Sequence, residues 1–182
     1  MPELFELDPA DELGAGAVGE PGDRAFYLQA RKESAQLTVL VEKEQVALLA
    51  TEAAAFLDQV DSEFPDAEPD PSDLEEAELR EPAVPLFRAR AIGIGFDPER
   101  RMVLLELREH GEGEERTEPA DPDAAEEGED AEEGWIARIY ATRAQVRAML
   151  SRGAAAVTGG RPLCSLCDQP MDPDGHRCPR WN

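Results

Sequence analysis

The sequence predicts an α+β fold: an antiparallel sheet built from two β-β-β-α units, with helices on one face and a zinc knuckle at the C-terminal end of the 182-residue chain. Three observations predict it. Strand-like segments come in runs, and each run is closed by one helix-like segment. Short stretches recur at fixed offsets. Pro21, Arg24, Leu28 and Arg31 return as Pro98, Arg101, Leu105 and Arg108, 77 residues on, and Gln45-Val46 returns as Gln145-Val146, 100 residues on. All three cysteines and one of the two histidines fall in the last nineteen residues.

The first unit spans about residues 4–60. A short strand is expected at Leu4–Leu7, then strands at Gly14–Gly19, Ala25–Arg31 and Gln36–Glu42. The β-branched run Leu37-Thr38-Val39-Leu40-Val41 is the strongest of these. A helix over about Glu44–Val60 buries Val46, Leu49, Ala53, Phe56 and Val60 at helical spacing.

The second unit spans about residues 86–158. Its strands are expected at Phe87–Phe96, Arg101–Glu109 and Trp135–Ala141, with Asp-Pro and Gly-Asp punctuation between strands in both units. Thr142 with Gln145 three residues later is a capping-box start for a helix over Arg143–Thr158. Val146, Met149, Leu150, Gly153 and Val157 form its inward stripe. Gly159-Gly160 stops it, and Pro162 prevents its continuation.

Charge divides the chain further. The formal net charge is −23, yet nearly all of it sits in two stretches. Residues 58–81 hold eleven acids against one arginine, and residues 112–133 hold twelve against one. Both are poor in large apolar residues and cannot bury enough surface to offset ordering entropy. Residues 61–82 therefore read as an acidic linker. The two repeat offsets differ by 23 residues, nearly the length of 112–133, so that stretch reads as a disordered insertion in the second unit's hairpin. Residues 1–160 form the α+β domain and 161–182 a metal-binding tail. From residue 135 onward the balance reverses, with seven arginines against three aspartates. No apolar run approaches the ~18 residues a membrane helix needs.

Cys164, Cys167, His176 and Cys178 follow the order C-x2-C-x8-H-x-C. Two close pairs of soft ligands separated by a turn-rich stretch are the pattern of a closed tetrahedral Zn²⁺ site. Four protein ligands leave no position for catalytic water, so the zinc is structural. A disulfide reading would leave one cysteine over. A lone metal cluster without a signal peptide fits a reducing cytosol.

Catalytic chemistry finds little support. Gly93-Ile94-Gly95 opens no helix and is no phosphate cradle. His110 is the only histidine outside the tail, and the abundant carboxylates lie in the two acidic stretches. Arg24 with Arg101 and Arg31 with Arg108 occupy matching places in the two units, and their planar forks could hold a phosphate or carboxylate.

The layout resembles an uncharacterised actinobacterial family, domain of unknown function 3090. The resemblance rests on Phe5-Glu6-Leu7-Asp8-Pro9, on Gly19 to Ala30, on Val41-Glu42-Lys43-Glu44-Gln45-Val46, on Gly160 to Cys167, and on Asp174-Gly175-His176-Arg177-Cys178-Pro179-Arg180. It covers nearly the whole chain. It implies a cytoplasmic actinobacterial protein and brings no known activity, substrate or catalytic residue. Ser165-Leu166 stand where a proline is expected in the knuckle, and the acidic insertion is long.

The favoured expectation is a non-enzymatic zinc-containing adaptor with a protein partner, contacted through Arg180 and Trp181. An alternative is nucleic-acid binding through Arg143 and Arg147, one turn apart on the second helix, together with the basic tail. A second alternative is an enzyme or ligand-binding protein with a cleft between the units.

Overall fold

A computed structural model describes residues 1–65, 77–110, 134–159, 164–167, 171 and 176–180. The elements run β1 (Glu3–Leu7), β2 (Glu12–Val18), β3 (Ala25–Lys32), β4 (Ala35–Val41), α1 (Lys43–Glu63), β5 (Phe87–Arg88), β6 (Ala91–Asp97), β7 (Met102–Arg108), β8 (Trp135–Ala141) and α2 (Arg143–Thr158). The chain is α+β, with two helices among the described residues and a C-terminal Cys/His cluster. The stretch 112–133, read as an insertion, and residues 66–76 of the acidic linker lie outside the described residues.

The sheet arrangement differs in detail from a single antiparallel sheet. The described residues form two four-stranded sheets, ordered β2-β3-β4-β5 and β1-β8-β7-β6. The central pairings are antiparallel, but β1 runs parallel to β8 and β5 parallel to β4. Each half thus lends its first strand to the edge of the other half's sheet. The expected strand Phe87–Phe96 is therefore two strands. It breaks at Ala89-Arg90, where the chain passes from one sheet to the other. Hydrophobic alternation fixes which face a strand buries but not which strand lies beside it.

The backbone repeats this exchange closely. The Ala10 N–H donates to the Tyr140 carbonyl at 2.8 Å, and the Ala89 N–H to the Leu40 carbonyl at 2.9 Å. The next residues, Asp11 and Arg90, donate to the carbonyls of Arg31 and Arg108, each at 2.8 Å.

One core joins the inward faces of both sheets and the helix pair. Leu28, Leu37 and Val39 contribute from one sheet, Val103, Leu105 and Ile139 from the other, and Leu57 and Met149 from the helices. Truncating a side chain this buried costs about 2–5 kcal/mol. The stripe on α1 is Val46, Leu49, Ala53, Leu57 and Val60. Leu57 takes the inward place expected for Phe56, which is only partly buried.

Two glycines explain close approaches. A Cβ at Gly153 would lie 2.9 Å from Cγ1 of Val46, so this glycine lets α2 settle against α1. A Cβ at Gly14 would lie 2.3 Å from the Ala77 carbonyl oxygen. Residues 77–80 cross the sheet there, on the face turned away from the core. Gln29 holds the crossing: its Oε1 accepts from the Arg80 N–H at 2.9 Å, and its Nε2 donates to the Arg80 carbonyl at 3.2 Å.

Among the described residues no helix is long and apolar enough to cross a membrane.

Candidate metal centre

The tail leaves α2 at Gly159, whose N–H closes the helix on the Ala155 carbonyl at 2.8 Å. Residues 165–167 form a turn that brings Cys164 and Cys167 round to one side. The ligand atoms of Cys164, Cys167, His176 and Cys178 all lie within 4.8 Å of one another. Sγ of Cys164 is 3.8 Å from Sγ of Cys178, and Sγ of Cys167 is 3.1 Å from Nε2 of His176. All three cysteines are free thiols.

These spacings fit a metal ion. Donors at 2.0–2.3 Å around a tetrahedral centre stand roughly 3.3–3.8 Å apart. Three sulfurs and one imidazole nitrogen complete such a shell without water. The N–H groups of Leu166 and Cys167 point at the Cys164 sulfur and hold its pKa below the usual thiol value, with the Cys167 and Cys178 thiols helping. Backbone donors thus favour the thiolate, the form that ligates. Cys164 is buried, whereas Cys167, His176 and Cys178 are half-buried. Leu166, at the tip of the turn, is 49% exposed. Arg180 donates from Nη1 to the Leu166 carbonyl at 3.1 Å, so the end of the tail is tied to its beginning. Trp181 lies outside the described residues.

The arginines expected to act in pairs are dispersed. Arg31 is buried in the β2-β3-β4-β5 sheet, contacts Glu12, and leaves one buried Nη1 without a hydrogen-bond partner among the described residues. Arg108 stands in the other sheet, 2.6 Å from Glu106. Arg24 donates to the Gly159 carbonyl at 2.8 Å, at the C-terminal end of α2. Arg101 sits at the β6–β7 turn with φ of 55°. Arg31 and Arg108 belong to different sheets, and each is paired with an acid of its own sheet, Glu12 or Glu106.

Arg143 and Arg147 do not form an open basic stripe. Arg143 is 3% exposed. It donates to Oδ1 of Asp61 and to the Phe64 carbonyl, each at 2.8 Å. Arg147 reaches Asp58 at 2.9 Å and Asp61 at 2.5 Å. These pairs turn both guanidinium groups into the α1–α2 seam.

Two features were missed in the sequence. Gln45 and Gln145 are readable as helix-start residues, but their bonds to the opposite half depend on the strand exchange. Lys43 and Arg88, which line a cleft beside Arg24, are far apart in the chain and carry no motif.

Fold and tail together define an α+β protein with a C-terminal cluster able to hold a metal ion. The chain belongs to the family described as protein of unknown function (DUF3090), which matches residues 5–178. No curated protein and no solved structure matches the chain.

Proposed function

We propose that the chain is a non-enzymatic adaptor whose tail holds one structural Zn²⁺ and presents the knuckle to a protein partner. The observation that carries this reading is the convergence of Cys164, Cys167, His176 and Cys178 within 4.8 Å. Three thiols with one imidazole suit zinc, and a full protein shell suits a structural role. Bound zinc supplies a cross-link between the turn at 165–167 and residues 176–180. Leu166 and Arg180, exposed beside each other, offer an apolar and a cationic contact of the kind found at binding hot spots. Trp181 extends that surface in sequence.

The exchanged strands and the matched turn bonds support reading the halves as two copies of one unit, with 112–133 inserted in the second. The family resemblance supports a cytoplasmic actinobacterial setting.

Nucleic-acid binding is the narrower reading. Its support is the exposed pair Arg177 and Arg180, since Arg143 and Arg147 are held by acids of α1.

The test is capture from native lysate with metal kept in the buffer. Full chain, Cys167→Ser and Leu166→Asp/Arg180→Ala are compared. The adaptor reading expects one protein retained by the full chain and lost from both variants. Retention by all three would place the contact elsewhere. Retention that vanishes on nuclease treatment would favour the narrower reading.

A further inference from the structure

The two ends of the helix pair are built alike but finished differently. At one end the first residue of α2, Arg143, meets the C-terminal turn of α1. There it binds the Asp61 carboxylate and the Phe64 carbonyl, with its guanidinium 5.9 Å from the Phe96 ring centroid. The corner is closed by an anion and an aromatic ring. The carboxylate comes from the last turn of α1, at Asp61, and the ring from β6, at Phe96.

At the other end Lys43, the first residue of α1, faces the shorter end of α2. Among the described residues no carboxylate pairs with Lys43. A cleft of about 830 Å³ opens there instead, between the start of α1 and the last turn of α2. Phe26 gives it an apolar floor and Val157 an apolar wall, while Tyr27 and Leu40, paired across β3 and β4 on the sheet's other face, border it at the strand ends. Arg24, Lys43 and Arg88 stand round it. The carboxylate of Glu42 is matched by Arg88 at 3.0 Å and Arg24 donates to the Gly159 carbonyl, while Lys43 and Glu44 stand exposed. The positive N-terminal end of the α1 dipole faces the negative C-terminal end of α2 there, so the charge at the site comes from the side chains.

We propose that this cleft binds a small amphiphilic anion: a carboxylate or phosphate head at Lys43 and Arg24, with an apolar body on Phe26 and Val157. The occupied corner is the internal precedent. There a carboxylate satisfies the first residue of the helix beside an aromatic ring, and here Lys43, the first residue of α1, has no carboxylate partner among the described residues. The volume suits a ligand of ordinary small-molecule size. The inference stands apart from the adaptor reading, because no metal ligand lines the cleft.

The test uses 8-anilinonaphthalene-1-sulfonate, a fluorescent anion with an apolar body, titrated into the full chain. One saturable site with enhanced emission is expected. Lys43→Glu/Arg88→Glu changes two exposed side chains and should weaken binding at least about tenfold. Thr158→Trp, an exposed position on the last turn of α2, should fill the cleft and abolish binding with a melting curve near that of the parent. Octanoate and phenyl phosphate are then used as competitors. Displacement by either supports the site and tells which head group it prefers. No saturable binding, binding unchanged in both variants, or displacement by neither competitor overturns the proposal. Should the charge-reversed variant fail to fold, the Thr158→Trp result alone decides.

Discussion

Gln45 and Gln145 make the same three hydrogen bonds in opposite halves of the molecule. Each Oε1 accepts the backbone N–H of the residue that starts its own helix, Glu42 or Thr142, at 2.8 Å. Each Nε2 donates to two successive carbonyls just past the strand lent by the other half. For Gln45 these are Ala89 and Arg90, at 3.2 and 3.4 Å. For Gln145 they are Ala10 and Asp11, both at 3.1 Å. One amide thus ties a helix start to the crossing point between halves.

Either glutamine should therefore matter more than an ordinary helix cap. Gln145→Leu keeps the helix-forming shape but removes three bonds and strips partners from carbonyls at the partly buried crossing. A loss of about 1–3 kcal/mol is expected from urea unfolding, with a similar loss for Gln45→Leu. A change at one site and none at the other would show that the two crossings are not energetically equivalent.

Gly153 tests the helix pairing. A Cβ there meets Val46, itself 3% exposed and unable to swing into solvent. Gly153→Val should destabilise by about 1–3 kcal/mol despite the better intrinsic helix propensity of most residues over glycine. The adjacent exposed change Ser151→Ala should be close to neutral. Equal melting points for the two variants would contradict the close α1–α2 contact.

Glu106 gives the fold a pH dependence. Burial alone would raise its pKa, but hydrogen bonds from Arg138 and Arg108 outweigh that and hold it below the ordinary value of 4.5. The unfolded chain then takes up the proton first as pH falls. The stabilisation is complete above about 4.5 and is lost as pH drops through the folded value. The urea midpoint of the parent should fall more steeply below about pH 4.5 than that of Glu106→Gln, which has no carboxylate to titrate. Parallel slopes would remove Glu106 from the acid response.

Much of this molecule was legible in the sequence, for physical reasons that also mark where legibility stopped. The strand Leu37–Val41 and the stripe of α2 follow from side-chain periodicity, and the Thr142–Gln145 start from local hydrogen bonding. The four candidate ligands were visible because their chemistry is confined to nineteen residues. The strand exchange was not, since parallel pairing of β1 with β8 joins residues more than a hundred apart and changes no local pattern. Arg143 looked like a surface cation because its position on α2 was read without α1, whose Asp61 draws it inward. The cleft is lined by residues far apart in the chain, which no local motif joins.

The central claim is the metal centre, and its most direct test is metal analysis of chelator-free protein followed by X-ray absorption at the zinc edge. One zinc per chain is expected, with three sulfur and one nitrogen neighbours at about 2.3 and 2.0 Å. Cys167→Ser should lower the zinc content and shorten the retention of what remains. Protein that carries no zinc, or a Cys167→Ser variant with the full complement in an unchanged shell, would contradict the assignment.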